Sequence, residues 1–337
     1  MSDSQVFHFV PGSRFTCRSC GKCCSSNFEI PLQLGKAQLI KESGSYAERV
    51  RQGYQPLRVM ADSLHFLGYD DDGKCRFLEA NLCGLHKNEG LSHKPVICQL
   101  YPYNLVRAPD GIYVSLLYSC PSVVAGHGES TEKSAQALHH LFETHAHQVP
   151  MLGPVQDHIL VTQFSTVTWR QYLKLEESLC HRLDPIDPIA YLVNAALLLA
   201  VPEPERAQFE RRSANLLTVQ NGPFQEFLSS VWCYLKDEQD EQTVPLLRPD
   251  RSAVRETLVR FLQNQFRGKL LIIGPSMVCR LLLLACAVGI LLHELASDES
   301  TSLQEGFSLI EEHLVSQSNS IESALLEFEE FLLENLC

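Results

Sequence analysis

The sequence predicts a mainly α-helical protein with a small α+β cysteine-rich module, in which N-terminal metal-binding loops and hairpins pack on a C-terminal helical array. Two observations predict this class. Eight of the 13 cysteines precede residue 121, which is a density that ordinary packing does not explain. After residue 128, apolar residues recur with the 3.6-residue period of helices. We therefore expect a cysteine-cluster metal-binding module at residues 1–128 and a helical domain at residues 129–337.

The two predicted domains also differ in charge. Residues 1–128 hold 13 basic and 11 acidic side chains, a net charge of +2, whereas the rest of the chain holds 15 basic and 29 acidic ones, a net charge of −14. An acidic surface repels phosphates, so we expect no nucleic-acid partner for the helical domain.

The module is organised around a cysteine loop, Cys17–Cys24, which reads Cys-Arg-Ser-Cys-Gly-Lys-Cys-Cys. Two residues between cysteines close a tight turn that lets two sulfurs converge on one ion or cluster. Gly21 supplies backbone freedom for that turn, and Arg18 and Lys22 would favour thiolates over thiols. Because adjacent side chains usually diverge, we expect Cys23 and Cys24 not to share one small ion.

Short strands and turns are predicted to carry the other early cysteines. Alternation predicts a strand at Ser63–Tyr69, an Asp-Asp-Asp-Gly turn, and a second strand at Lys74–Leu78. Ala108–Gly111 is a turn between the predicted strands Asn104–Arg107 and Ile112–Tyr118. Extended chain is also expected at Phe7–Phe15 and Ile30–Leu34, with a helix at Leu34–Val50 that Gly44 interrupts.

The remaining chain is predicted to be helical, with Asp-Pro pairs at residues 184–185 and 187–188 as helix-start signals. The predicted helices are Ser130–Val149, Gln156–Leu183, Ile189–Ala200, Glu205–Leu217, Pro223–Leu235, Arg251–Gly268, Ser276–Ala296, Leu303–Val315 and Ile321–Leu336.

Location and membrane contact follow from the hydropathy. Met1–Ser13 lacks the basic start and apolar run of a secretory signal, so we expect a cytoplasmic, reducing environment in which clustered cysteines bind metal. Leu270–Leu292 is the longest apolar stretch, but Pro275 and Arg280 interrupt it. We expect a buried helix there and no membrane span.

The cysteine spacing allows two kinds of metal centre. Cys17, Cys20 and Cys23 have the C-x2-C-x2-C spacing that seats three corners of a [4Fe–4S] cluster, with a fourth ligand from far along the chain, often before a proline. Cys120, before Pro121, fits that role, and Cys98 is its rival. The alternative is zinc on an all-thiolate site. The ligands for that site would be Cys24, Cys75, Cys83 and Cys98.

These motifs resemble a known family. Phe15-x-Cys17-x2-Cys20-Gly-x-Cys23-Cys24, Cys75-x-Phe77-Leu78, Cys83 and Cys98-x2-Tyr101-Pro102 are similar to the CxxCxxCC cysteine-cluster family of zinc- or iron-chelating proteins. Ser119-Cys120-Pro121, followed by a long helical region, resembles the flagellin lysine-N-methylase branch. The resemblance implies an iron–sulfur cluster and S-adenosylmethionine-dependent methylation of a protein lysine, with flagellin as the type of partner. The sequence holds no Gly-x-Gly-x-x-Gly loop.

Other readings stay open at this stage. The chain could be a non-enzymatic zinc or iron module whose helices dock a partner, or, less simply, a thiol redox enzyme. His86 is an alternative ligand, and the last helix presents either a solvated acidic face or a docking surface. Tyr101 and Tyr103 could donate hydrogen bonds to sulfur. We expect a solvated face for His139, His140, His145 and His147, and core packing for Cys180, Cys233, Cys279 and Cys286.

Overall fold

A computed structural model describes residues 6–25, 29–60, 64–153, 157–201, 223–236, 243–249, 251–298, 300–312 and 321–336. The strands are β1 Phe7–Phe9, β2 Arg14–Phe15, β3 Pro31–Leu32, β4 Leu57–Val59, β5 His65–Leu67, β6 Leu78–Glu79, β7 Leu82–Cys83, β8 Tyr103–Ala108, β9 Gly111–Leu116, β10 Glu129–Ser130, β11 His158–Thr162 and β12 Ser165–Thr168. The helices are α1 Leu34–Lys41, α2 Gly44–Arg51, α3 Val96–Leu100, α4 Pro121–Val124, α5 Ala135–His145, α6 Trp169–Arg182, α7 Pro188–Ala200, α8 Pro223–Lys236, α9 Ser252–Arg267, α10 Met277–Ser297, α11 Leu303–Ile310 and α12 Glu322–Leu336. The predicted class, mainly α with a small α+β module, is confirmed.

The chain forms two compact units that interleave along the sequence. One, which we call the cysteine unit, comprises residues 14–104 and 120–150. The other, the helical unit, comprises residues 1–13, 105–119 and 151–337. The predicted boundary at residue 128 falls within the cysteine unit, and the division into independently folding domains remains a prediction.

The helical unit is built around α10. This helix packs against α7, α8, α11 and α12, and against strand β11. It is long and apolar enough to cross a membrane, with a mean hydropathy of 2.0 over its most apolar window, but 83% of that window is buried inside the protein. A core helix has the same composition, so the prediction of a buried helix is confirmed.

A small sheet, in the order β1-β9-β8, contributes to the same unit. Strand β1 runs parallel to β9, with Phe7 opposite Ile112, and Pro109 and Asp110 form the turn between β8 and β9, within the predicted turn Ala108–Gly111. Helix α9 packs on β9, where the Asn264 amide donates to the Leu116 carbonyl and accepts from the Leu116 N–H.

The cysteine unit has much shorter elements. Strand β5 pairs with β3 and β4, β6 pairs with β7, and β10 pairs with β2. The helix predicted at Leu34–Val50 is divided into α1 and α2 near Gly44, as expected, because Ser43 caps α2 by accepting the Tyr46 N–H. Apolar residues around Ile40 and Phe77 form a single buried cluster.

Three sequence predictions are wrong in detail. The segment from His158 to Thr168 is a β-hairpin and not the start of a helix, because its Ile, Val and Thr residues alternate and Thr168 caps α6 with a capping box to Gln171. Lys74–Phe77 form no strand, and Cys75 makes only an isolated bridge to Tyr69; the strand begins at Leu78, as β6. The helix predicted from Ser130 begins at Ala135, after β10 and a 3-10 turn. The predicted helix Glu205–Leu217 lies outside the described residues.

Candidate metal centre

The cysteine loop is shaped by two residues with left-handed backbone. Gly21 has φ 75° and Ser19 has φ 56°. After Gly21 the chain makes a 3-10 turn, Lys22–Cys24, closed by the Cys24 N–H donating to the Gly21 carbonyl at 2.9 Å. A Cβ on Gly21 would lie 3.1 Å from the Asn81 Cα, so glycine also lets the β6–β7 turn approach the loop. Three of the loop thiols, Cys17, Cys20 and Cys23, are exposed.

The backbone brings Cys75 and Cys83 to this loop. The Cys75 N–H donates to the Cys24 carbonyl at 2.7 Å, and Cys75 also bridges to Tyr69. Strand β7 places Cys83 opposite Leu78, in a hairpin whose turn holds Ala80 and Asn81 at positive φ. The turn predicted after Tyr69 is therefore present, since Cys75 bridges back to Tyr69 across it. Cys83, however, lies on the next hairpin along the chain.

Cys98 completes an inner set of thiols. It lies on α3, where Val96 and Leu100 are buried, and it packs with Cys24 and Cys83 against the buried cluster that contains Cys75. Four thiols from four chain segments thus surround one apolar core. We call them the inner set: Cys24, Cys75, Cys83 and Cys98.

Burial and the charges of neighbouring thiols are the main causes of the raised pKa values of Cys75 and Cys98 in the inner set. The pKa of Cys75 is raised to about 12, chiefly by burial and also by the charges of Cys83 and Cys23. Burial also raises the pKa of Cys98, with Cys75, Cys83 and Cys23 adding to the rise. The thiols are therefore close enough to feel one another's charge, which is the situation a metal cation relieves.

Cys23 and Cys24 are closer together than the sequence predicted. Their sulfurs lie 4.0 Å apart. The hydrogen bond between them is the largest cause that lowers the pKa of Cys23, to about 6, and that raises the pKa of Cys24. Ligands about 2.3 Å from a tetrahedral zinc ion are roughly 3.8 Å apart, so this sulfur separation is compatible with one shared ion, and the expectation that the two neighbours do not share one stays a prediction.

Cys120 approaches the loop from a distant part of the chain. It is buried at the N-terminus of α4, before Pro121. Burial raises its pKa, backbone N–H groups of Val123 and Ser122 lower it, and the charges of Cys20 and Cys23 raise it. We call the C-x2-C-x2-C thiols and this remote thiol the outer set: Cys17, Cys20, Cys23 and Cys120.

Cys17 is the least connected member of the outer set. In the described chain its sulfur accepts one hydrogen bond, from the Ser19 N–H at 3.4 Å. Within the described ranges, no group of three or more His, Cys, Asp or Glu side chains is already arranged to hold a metal ion. The electrostatic interactions link Cys20 and Cys23 to Cys120, and Cys75, Cys83 and Cys23 to Cys98. The donor chemistry fits, because thiolate sulfur is the ligand that zinc and iron–sulfur clusters take.

Two residues near the thiols were missed by the sequence analysis. The charge of Lys94 lowers the pKa of Cys23 and of Cys98. Tyr69 lies close enough to Cys75, Cys98 and Cys24 for their charges to raise its pKa, although burial is the larger cause. The only sequence signal was their position, four residues before Cys98 and six before Cys75.

The other candidate residues lie apart from this chemistry. His86 is exposed on the turn that follows β7. The Tyr103 hydroxyl donates to the Ser134 Oγ at 2.6 Å rather than to sulfur. Burial and the charges of Lys36, His147 and His140 lower the pKa of His145. Cys279 and Cys286 are buried in α10, as predicted.

The cysteine unit thus has the features of a thiolate metal-chelating module. Comparison with known families agrees: residues 16–122 match the CxxCxxCC family, described as a putative zinc- or iron-chelating domain. The matched segment includes all eight thiols of the inner and outer sets, and the predicted resemblance is confirmed over it. This match over residues 16–122 supports metal binding by the cysteine unit. No curated protein and no solved structure matches the chain.

Proposed function

We propose that the outer set binds a [4Fe–4S] cluster. The observation that carries this proposal is the position of Cys120, which is far from Cys20 and Cys23 in sequence but close enough in space for their charges to raise its pKa. A remote cysteine before a proline is the fourth ligand that the C-x2-C-x2-C spacing requires. Cys98, the rival for this role, packs with the inner set instead.

The chain's own groups would tune such a cluster. When bound, a [4Fe–4S] cluster supplies one-electron redox chemistry at a potential set by charge, solvent and hydrogen bonds to sulfur. The Ser19 N–H donates to Cys17, backbone N–H groups of α4 reach Cys120, and the Lys94 charge offsets that of Cys23. These interactions stabilise thiolates and would raise the reduction potential.

A second candidate is a zinc ion on the inner set, in a non-enzymatic module whose helical unit docks a partner protein. The supporting observation is that four thiols from four segments meet on one buried cluster. Structural zinc sites are closed, tetrahedral and all-thiolate in this way.

Metal analysis of anaerobically purified protein separates the two candidates. The cluster predicts about four irons and four sulfides per chain and a brown protein, both lost in Cys20→Ser and retained in Cys180→Ser, a matched control outside the cysteine unit. Stoichiometric zinc in a colourless protein, lost in Cys83→Ser but not in Cys20→Ser, would reject the cluster and support the zinc site.

We extend the proposal, by family resemblance alone, to S-adenosylmethionine-dependent methylation of a protein lysine, with flagellin as the type of substrate, in the cytoplasm. The support is Ser119-Cys120-Pro121 followed by a long helical region, and no residue is assigned to the cofactor. Two experiments test this proposal. Calorimetry measures binding of S-adenosylmethionine, and mass spectrometry detects methylated lysines in flagellin after incubation with the protein and S-adenosylmethionine. Absence of cofactor binding by cluster-loaded protein would leave the non-enzymatic module.

A further inference from the structure

The helical unit contains a cavity beside a strand whose outer edge carries no partner in the described chain. The cavity has a volume of about 290 Å³ and is lined by Gly153, by His158–Leu160 of β11, by Leu271–Gly274 and by Ser276. Strand β11 pairs with β12 alone among the described strands. None of the thiols lines this cavity.

The register shows which backbone groups face the cavity. The Trp169 N–H donates to the Asp157 carbonyl, and His158 lies opposite Thr168. In an antiparallel pair, residues alternate between those that exchange hydrogen bonds and those whose N–H and C=O point to the outer edge. His158 and Leu160 therefore point their N–H and C=O groups away from β12.

The part of the cavity wall formed by residues 271–276 also presents backbone hydrogen-bonding groups. Ile273 and Ser276 are extended, and Gly274 has φ 113°. Within the described residues the Gly274 N–H donates to no acceptor. Apart from His158 and Ser276, the lining residues carry apolar side chains or none, and the outward N–H and C=O groups of His158 and Leu160 and the Gly274 N–H border the cavity. Such a row of donors and acceptors is complemented by another extended backbone.

The surrounding charge favours a basic occupant. No lysine or arginine lines the cavity. Asp157 is exposed at the start of β11, and Glu322 lines a small cleft that shares Ile273 and Gly274 with the cavity wall. Arg280 also lines that cleft, but it is only 3% exposed and interacts electrostatically with the buried Glu311. Residues 129–337 carry a net charge of −14.

From this geometry we propose that β11 binds an extended, lysine- or arginine-containing segment of a partner protein by strand addition. The segment pairs with His158 and Leu160, places alternate apolar side chains over Ile159 and Leu271, and points its basic side chains towards the acidic surface. The three lining residues of β11 present an edge about 10 Å long, enough for about three residues of the partner. The inference rests on neither metal binding nor methylation.

The test uses full-length, metal-loaded protein and a fluorescein-labelled octapeptide, (Lys-Val)4, with binding measured by anisotropy. Leu160→Pro removes the N–H that faces the cavity and leaves the β11–β12 hydrogen bonds intact, because proline is tolerated where an N–H faces outward. We expect this variant to weaken binding about tenfold, as the loss of one or two hydrogen bonds predicts.

Matched controls isolate the edge. Thr166→Pro places proline at the outer edge of β12, on the same hairpin, and Leu160→Ala removes the side chain but keeps the N–H; both should retain affinity within about threefold. A peptide with N-methylated valines and (Glu-Val)4 should bind at least about tenfold more weakly. Circular dichroism and thermal melting confirm that each variant folds.

Several outcomes would overturn the proposal. These are no binding of (Lys-Val)4, equal binding by Leu160→Pro and wild type, equal binding of the glutamate peptide, or a dimer that Leu160→Pro dissociates, which would make a second copy the occupant. Metal content measured on the same samples keeps this result separate from the cluster proposal, since loss of metal in Cys20→Ser should leave peptide binding unchanged.

Discussion

The helical unit and the cysteine unit solve the problem of a stable core in different ways. In the helical unit, α10 buries nearly every side chain from Met277 to Leu292 against apolar neighbours. In the cysteine unit, most strands have two or three residues, and four thiols lie in or around the buried cluster that contains Phe77. Elements this short bury little apolar area, and small folds of this kind commonly depend on metals or disulfides.

The two units also differ in how buried ionisable groups are compensated. In the helical unit, the Lys269 ammonium bonds both oxygens of Glu176 at 2.6–2.7 Å and lies 4.2 Å from the centre of the Tyr113 ring. That ion pair is complete within the chain. In the cysteine unit, burial is the largest cause that raises the pKa of Cys75 and of Cys98, so the metal-free chain favours neutral thiols there. A metal cation would stabilise their thiolate forms instead.

Removal of the metal should produce the largest difference between the units. Apparent binding free energies of structural zinc in small domains are about 10–16 kcal/mol, and binding is coupled to folding. We therefore expect a chelator to abolish amide protection in residues 14–104 and 120–150 while α10 stays protected. Hydrogen exchange with mass spectrometry, before and after anaerobic chelation, measures both units in one sample. Equal protection of the cysteine unit with and without metal would show that its apolar cluster suffices.

Substitution of Lys269 should destabilise the helical unit strongly. Lys269 and Glu176 are 3% and 5% exposed, and Tyr172 also donates to the Glu176 carboxylate. Removal of one member of a buried pair leaves an uncompensated charge, so Lys269→Met should cost about 3–5 kcal/mol in the free energy of unfolding, measured with urea.

The control is the double variant Lys269→Met, Glu176→Gln, which removes both charges and should recover part of the loss. Metal content should be unchanged in both variants if the two units are stabilised independently. A loss below about 1 kcal/mol for Lys269→Met would show that the cage of Tyr113, Trp169 and Tyr172 holds the turn without the charge.

Glu311 should make the helical unit less stable as pH rises. It is 2% exposed and accepts the Ser119 N–H, yet burial raises its pKa from 4.5 to about 7. The native state keeps a proton that the unfolded state has lost, so its contribution to stability is complete below pH 4.5 and is lost as pH rises to 7. The change amounts to about 3 kcal/mol.

Chemical denaturation at pH 4.5, 5.5, 6.5 and 7.5 measures this effect. Glu311→Gln keeps an acceptor for the Ser119 N–H and cannot ionise, so the difference between wild type and this variant should grow with pH in favour of the variant. Burial lowers the pKa of Arg280, and its electrostatic interaction with Glu311 opposes that lowering. A pH-independent difference would mean that Glu311 stays charged and that the Arg280 charge compensates it fully.

The sequence predicted the central helices of the helical unit and the thiols of the cysteine unit, but not which side chains contact one another within either unit. Apolar periodicity is local, so α7 and α10 were predicted within a few residues. The hairpin at His158–Thr168 was missed because its strands are short and lead directly into the strongly periodic α6.

Contacts between residues that are distant in sequence could not be predicted from local sequence patterns. The closeness of Cys120 to Cys20 depends on where α4 begins relative to the loop, and the position of Lys94 depends on α3. The Lys269–Glu176 pair joins residues 93 apart in sequence, and no spacing rule relates them. The two sets of thiols were predicted from motif chemistry alone, and the assignment of these thiols as metal ligands remains a prediction.

A pair of helix caps gives the smallest and sharpest comparison. Ser43 caps α2 in the cysteine unit by accepting the Tyr46 N–H, and Ser302 caps α11 in the helical unit by accepting the Glu305 N–H. Each Ser→Ala substitution should cost about 1 kcal/mol in metal-loaded protein, measured by hydrogen exchange of the capped helix. If metal is what closes the cysteine unit, chelation should erase the effect of Ser43→Ala, since α2 is then already unprotected, and leave the effect of Ser302→Ala unchanged. An undiminished Ser43→Ala effect in metal-free protein would mean that α1 and α2 form a stable substructure without any help from sulfur.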